Sequence, residues 1–297
     1  MVRGMSGVHY FSVTEAEAGQ KLVQFLSRRL GGDVPRSAIM RWIRTGQVRV
    51  DSSRVKPFQK VAEGQTVRVP PHHRDTGHLE EAGGETTNPF HLRKVFEDEE
   101  LLLVAKPPGL ATQPGKGIRQ SVDGLVRAEY GDWAWPPALV HRLDKETSGL
   151  LVLAKSYASL RALQRLWQEN RVHKLYLAWV RGDVSWRGWT ELRDDMVEDR
   201  DSERKKVPAV SRIRVLRRDK GCSLVAVSLD TGRKHQIRVQ MAQRGHPVVG
   251  DRKYGRGGSS QGLLLHAYRL AWKDRSFSLE PQWLGQFAVS AKDLESL

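Results

Sequence analysis

The 297-residue sequence contains one cysteine, Cys222. An internal disulfide and a thiolate metal cluster are therefore excluded. Cys222, inside the strand-like stretch "GCSLVAVSL", is expected to be a buried small apolar residue in a fold held by packing alone. Long apolar runs are missing as well. No stretch approaches the roughly 18 to 20 residues that a membrane-spanning helix needs, and the N-terminal "MVRGMSGVHYFSV" lacks the apolar core of a secretory signal, so a cytoplasmic protein is expected. Acids are scarce beside bases: 34 Asp and Glu face 49 Lys and Arg, a formal charge of +15 with a pI near 10.1. Such a surplus favours a polyanionic partner, nucleic acid first and an acidic membrane surface second.

What is present suffices for a folded protein, since 39% hydrophobic residues over this length allow one large core and a smaller satellite domain. Residues 15 to 30, "EAEAGQKLVQFLSRRL", place Leu22, Val23, Phe25, Leu26 and Leu30 at helical spacing. Lys21, Arg28 and Arg29 are left for another face, which predicts one amphipathic helix with a basic side. "VPRSAIMRWIRTGQVRVDSSRV" follows, with a candidate N-cap at Ser37, a stripe of Ile39, Met40 and Ile43, a stop at Gly46, then a strand and an Asp51-Ser52-Ser53 turn. Two helices thus lead into a hairpin. Residues 1 to 70 hold 12 Lys or Arg against five acids, a net charge of +7. Arg36, Arg41, Arg44, Arg49 and Lys56 are the candidate nucleic-acid contacts there; the plainer reading is a solvated basic surface.

Residues 71 to 88, "PHHRDTGHLEEAGGETTN", have one leucine and no aromatic and cannot bury enough surface to order themselves, so they read as a linker between residues 1 to 70 and a larger domain over 89 to 297. His72, His73 and His78 could suggest a metal tract, but in a polar segment of this kind they read as ordinary linker residues. Beyond Pro89, strands and helices alternate: "LLLVA", a helix in "SVDGLVRAEY", "ALV", "LLVLA", a helix over 157 to 168, "KLYLAWVRG", "VSRIRVLRR", "CSLVAVSL", a short helix around "RKHQIRVQMAQR", and "LLLHAYRLAW". Several strands succeed one another without helices between them. An α+β fold with a mixed, mostly antiparallel sheet is therefore expected, rather than a doubly wound parallel one.

Within that pattern, "ALVHRLDKETSGLLVLAKS" (138 to 156) sets a charged run between two buried strands. The run and Gly149 are expected to form a loop on a rigid scaffold, with Asp144 held as a catalytic group would be. Taken alone, Arg142, Asp144, Lys145 and Glu146 could simply solvate a turn. The motifs in its company are "LLLVAKPPGLATQPG" (101 to 115), "HKLYLAWVRG" (173 to 182), "DTGRKHQIRVQMAQRGHPVVGDRKYG" (230 to 255) and "LLLHAYRLAW" (263 to 272).

Together these five motifs, in this order, resemble the RluA-type family of RNA pseudouridine synthases, in particular its branch with an N-terminal αL module, which modifies large-subunit ribosomal RNA. "RSAIMRWIRTGQVRV" is similar to that αL-type module of ribosomal small-subunit protein four. There the turn after the first strand is usually Asn-Gly; Asp51-Ser52 in its place is expected to change the turn type. The resemblance implies a pseudouridine synthase fold with a small N-terminal RNA-binding domain, and it assigns Asp144 as the catalytic aspartate. It further implies that Arg142 fills the gap left by a flipped uridine, that Tyr176 stacks on the flipped base, and that Arg238 is the basic partner of the carboxylate. Leu265 would line the uracil pocket. Breaking the C1′–N1 bond and joining C1′ to C5 needs no redox change and no group donor, so no cofactor and no metal is expected.

The residue types fit that chemistry. A carboxylate can attack C1′, stabilise an oxocarbenium-like sugar or remove a ribose proton, a nearby guanidinium favours its charged form, and an aromatic face supports a base taken out of its stack. His141 and His235 are expected to fix local hydrogen bonds, because no third ligand has metal spacing. Lys106-Pro107-Pro108-Gly109 reads as a rigid turn beside the site, Gly232 and Gly250 as turn residues, and Arg252 and Lys253 as solvated charges or phosphate contacts. Gln240 stands where the family often has histidine. The expected partner is large-subunit ribosomal RNA or an assembling ribosomal particle, met by a monomer. The alternatives are a catalytically silent ribosome-assembly factor that binds ribosomal RNA, and a hydrolase that uses the same carboxylate to release a base.

Overall fold

The computed structural model describes residues 7–31, 34–72, 92–115, 117–200, 203–255 and 259–297. Two sheets organise them. The first has four strands, β1 (His9–Ser12), β2 (Arg49–Val50), β3 (Ser53–Arg54) and β4 (Thr66–Val69), in the order β1-β4-β2-β3. Helices α1 (Leu22–Arg29) and α2 (Arg36–Arg44) cover one face, packing Leu22, Phe25, Leu26, Ile39 and Ile43 onto Val50, Val67 and Val69.

The expected single helix over 15 to 30 is two pieces. A 3-10 turn at Glu15–Glu17 ends where Gly19 takes a φ of +85°, and α1 starts at Leu22. Of its basic side Lys21 stays exposed, while Arg28 and Arg29 turn inward. Arg29 donates to the buried carboxylate of Glu17 at 2.8 Å, and the Arg28 guanidinium lies 3.7 Å from the centre of the Trp135 ring and donates to the carbonyl of Pro136. Burial, with Arg127 nearby, pushes the Arg28 pKa down to about 10. In α2 the residue before the first turn is Pro35, which makes no side-chain cap. Ser37 lies two residues past the cap position, as the second residue of the helix, and so does not cap it. The hairpin turn differs from expectation as well: Asp51 and Ser52 have φ of 47° and 66°, the paired left-handed geometry that Asn-Gly favours. Asp51 holds it by accepting from the Thr66 amide at 2.9 Å and the Gln65 amide group at 3.0 Å.

The second sheet runs β10-β11-β12-β9-β13-β8-β6-β5, with β14 on β13 and β7 on β8. Its strands are β5 (Arg93–Glu97), β6 (Leu101–Lys106), β7 (Ala138–Leu139), β8 (Ser148–Ala154), β9 (His173–Arg181), β10 (Thr190–Arg200), β11 (Glu203–Asp219), β12 (Cys222–Leu229), β13 (Leu265–Trp272) and β14 (Arg275–Ser278). Helices α3 (Val122–Glu129), α4 (Tyr157–Gln168), α5 (Gln236–Gln243) and α6 (Ala291–Leu294) flank it. Neighbours are antiparallel except β13 and β8, which run parallel through His266 and Ser148. The α+β class with a mixed, mostly antiparallel sheet is thus as expected. The long β10–β11 hairpin is not, because "TELRDDMVEDR" has no apolar alternation and only its pairing with β11 makes it a strand. Cys222 is buried beside Trp179 and Leu224.

Gly149 corrects the reading of the charged loop. It is inside β8, with φ +118°, and a Cβ there would sit 2.4 Å from the Ala267 carbonyl oxygen of β13. The loop therefore ends one residue before β8 begins, and Gly149 is where two backbones cross. Most of the expected linker, residues 73–88 of 71–88, falls outside the described residues, as do His73 and His78. His72 packs its ring against His9 and Trp42. Among the described residues no helix is long and apolar enough to cross a membrane.

Candidate active site

Asp144 sits in the loop between β7 and β8, and the segment that follows β6 holds the loop from both sides. The Thr112 hydroxyl donates to the Leu143 carbonyl at 2.6 Å and accepts from the Leu143 amide at 3.1 Å. On the other side of Asp144, the carbonyl of Lys145 accepts from the Gly109 amide and from the Lys106 ammonium, each at 2.9 Å. Lys106 is 1% exposed and donates also to the carbonyls of Pro107 and Leu110, at 2.8 and 2.7 Å. Burial pushes its pKa down to about 7, while three carbonyl acceptors match the three N–H donors of the charged form. His141 anchors the loop's entrance: it stacks on Trp167 at 4.8 Å and accepts from the Val152 amide. Leu143 is buried with Leu110, Val104 and Leu151. Asp144 is thus carried on a backbone with little freedom, its side chain 21% exposed.

A cleft of about 300 Å³ opens at this carboxylate, and Asp144, Arg142, Tyr176, Arg238 and Leu265 all line it. Tyr176 comes from β9, flanked by Val227 on β12 and Ala267 on β13, and burial together with Asp144 raises its phenol pKa. Leu265 is 3% exposed at the start of β13. Arg142 is exposed at the rim.

Arg238 reaches the cleft from α5 but is not the direct partner of Asp144. Its Nε and Nη2 donate to the two oxygens of Asp251 at 2.7 and 2.8 Å. The hydrogen bonds to Asp251, ahead of the field of Asp144, raise the Arg238 pKa. The physical reason is that Asp251 is itself buried and gathers the Lys253 and Tyr254 amides as well, so it supplies two oxygens in fork geometry where Asp144 does not. His235 stands beside Asp144, with Nε2 3.8 Å from Oδ2. His235 precedes α5 with a φ of 56°, and its Nδ1 is 2.9 Å from the Tyr254 hydroxyl.

Gln240 is fully buried, which explains its presence on α5. It accepts from Ser211 at 2.9 Å and donates to Asp194 at 2.8 Å, tying the helix to β11 and β10. Among the described residues no cluster of three His, Cys, Asp or Glu side chains could hold a metal ion.

Residues 100–243, which contain Asp144, Tyr176 and Arg238, match the model of the RNA pseudouridylate synthase family. The chain is 37% identical over 260 residues to ribosomal large subunit pseudouridine synthase C of Pasteurella multocida, covering 84% of this chain and 78% of that protein. This chain belongs to the RNA pseudouridylate synthase family. The Escherichia coli K12 protein of the same name is 36% identical over 266 residues, covering 84% of this synthase and 80% of its relative. Human RNA pseudouridylate synthase domain containing 4 has the same fold, with a TM-score of 0.54 at 24% identity over 68% of this chain and 91% of that one.

Four parts of the synthase's site escaped the sequence reading. The Lys106 and Thr112 anchors lay in a motif read only as a turn, although a lysine closing the apolar strand "LLLVAK" was a visible signal. Asp251 and Tyr254 lay in "GDRKYG", read as turn and surface charge; they hold Arg238 and His235 respectively.

Proposed function

We propose that this protein isomerises specific uridines of large-subunit ribosomal RNA to pseudouridine. The observation that carries the reading is the convergence of Asp144, Tyr176, Arg238, Arg142 and Leu265 on one cleft from four separate stretches of chain. The substrate class is taken from the relatives, whose names place them on the ribosomal large subunit.

In this reading the uridine flips into the cleft and Asp144 meets its ribose. The C1′–N1 bond breaks, the base turns, C1′ joins C5, and the proton leaving C5 is replaced by one on N1, so atoms and charge balance within the nucleotide. Attack at C1′, stabilisation of an oxocarbenium-like sugar, and removal of a ribose proton all use an ionised Asp144. Tyr176 stacks on the base, worth roughly 1 to 3 kcal/mol, and Leu265 floors the pocket. Arg238, paired with Asp251, contributes a fixed positive charge near Asp144 rather than a hydrogen bond to it. Arg142, at the rim, takes the place of the flipped base, offsetting part of the few kcal/mol that unstacking costs.

Residues 1 to 70 act as an RNA-binding domain. Arg36, Arg41, Arg44, Arg49 and Lys56 are all exposed, and α2 turns Arg41 and Arg44 away from the buried Ile39 and Ile43. The protein works as a monomer in the cytoplasm, on the RNA or on an assembling particle. Mapping pseudouridines across ribosomal RNA from cells with and without this gene tests the reading. Specific large-subunit uridines should lose the modification when the gene is absent, and an unchanged map refutes the proposal. Incubating the purified protein with naked RNA and with precursor particles then separates the two substrate forms.

A further inference from the structure

The outer face of the four-stranded sheet carries a row of side chains that the reaction does not use. Pairing sets Tyr10 of β1 opposite Arg68 of β4, Arg68 opposite Arg49 of β2, and Arg49 opposite Arg54 of β3. The alternate positions, Val67, Val69 and Val50, are buried under α1 and α2, so the row points the other way. Tyr10 is 65% exposed, and Arg49 and Arg54 are exposed. Like charges directly opposite one another destabilise a sheet. Three arginines in consecutive cross-strand positions are therefore a cost that folding alone does not explain.

The row is also held in place. Arg68 donates to the Gln47 carbonyl at 2.9 Å and Arg49 to that of Ser52 at 3.2 Å. Arg54 lies so close over Gly46 that a Cβ there would meet its Nε at 2.9 Å. The adjacent acid, Asp51, accepts from the Gln65 side chain and the Thr66 amide, and three arginines outnumber its single charge. A groove of about 540 Å³ runs along the Tyr10, Arg68 and Arg49 part of the row, with Gln47, Asp51 and Thr66 also lining it, and Arg54 stands beyond its end. Three strand spacings of ~4.8 Å make the row about 14 Å long.

We propose that this face docks a strand of the RNA substrate, with successive phosphates on Arg68, Arg49 and Arg54 and an unstacked base on the ring of Tyr10. Guanidinium groups in a line meet a line of phosphates, and an exposed aromatic at the end of the line offers the flat surface that an unpaired base seeks. The module thereby offers RNA two faces: the arginines of α2 on one side and this sheet face on the other. The inference rests on the proposed function in that its ligand is RNA.

The test uses the full-length protein and a large-subunit ribosomal RNA transcript. Tyr10→Ala should weaken binding about 5-fold or more, Tyr10→Phe should bind like the unaltered protein, and ultraviolet irradiation should crosslink RNA to Tyr10. Arg49→Gln with Arg68→Gln should flatten the slope of log affinity against log salt by about 2. Melting temperatures of these surface variants check that they fold. Unchanged affinity and salt slope in both Tyr10→Ala and the double variant overturn the proposal. So does competition for this face by an acidic peptide with no RNA crosslink. The outcome is separable from the function: an unaltered protein that binds RNA and crosslinks through Tyr10 but makes no pseudouridine fails the proposed reaction and leaves the docking surface standing.

Discussion

At the scale of single residues, the site divides into groups that meet the RNA and groups that hold those in place. Asp144→Asn keeps the shape of the side chain and removes the charge, so pseudouridine formation should vanish while RNA affinity changes little; turnover by the purified variant would refute the role. His235 belongs to the second class. When the Tyr254 hydroxyl donates to Nδ1, the imidazole proton sits on Nε2 and faces Asp144. Burial lowers the His235 pKa, Asp144 raises it, and Arg238, Lys253 and Lys234 lower it further, so the ring charges only below its ordinary ~6.5. Activity should therefore show an inflection on the acid side of neutrality that His235→Gln removes, as read from the pH dependence of kcat. This network was not legible in advance. His235 and Tyr254 are 19 positions apart, and only the left-handed turn before α5 brings them together.

At the scale of elements, two devices fix the loop that carries Asp144. The segment after β6 clamps it through Lys106, Gly109 and Thr112. Lys106→Met keeps the bulk and orphans buried carbonyls, each costing about 1–3 kcal/mol. The variant should melt earlier, and kcat should fall more than KM rises. The second device is the parallel contact of β8 with β13. Gly149→Ala demands a Cβ inside the β13 backbone at a φ that L side chains rarely adopt, so a loss of at least about 2 kcal/mol is expected by denaturant unfolding. The strands of this region were plain in the sequence because "LLLVA" and "LLVLA" are apolar runs buried on both faces. The β10–β11 hairpin was not, since its charged strand gains its structure from its partner rather than from its own pattern.

At the scale of the whole molecule, the parts built on the two sheets touch through Arg28 of α1 on Trp135, and Tyr157 of α4 lies 3.7 Å from where a Gly19 Cβ would sit. Removing residues 1 to 88 should leave the larger sheet folded but expose Trp135, and it should weaken or redirect ribosomal-RNA binding; unchanged site selection on intact RNA would show the module to be dispensable. Stability should also depend on pH through two buried histidines. Burial lowers His266 to about 4 and His141 to about 3. Below ~6.5 the unfolded chain takes up protons that these folded rings refuse, so stability is full above that pH and is lost as pH falls toward 4. The melting temperature should drop between pH 6.5 and 5, and His266→Gln should flatten that drop. The sequence by itself determined the α+β class and the basic N-terminal part, which local periodicity and charge set, and its five motifs carry the family resemblance that names the cleft's residues. Tertiary structure alone decided that Arg238 pairs with Asp251, that Arg28 and Arg29 turn inward, and that Lys106 holds the loop of Asp144. Each of these is a contact between distant segments, chosen by which buried charge finds the best-shaped partner.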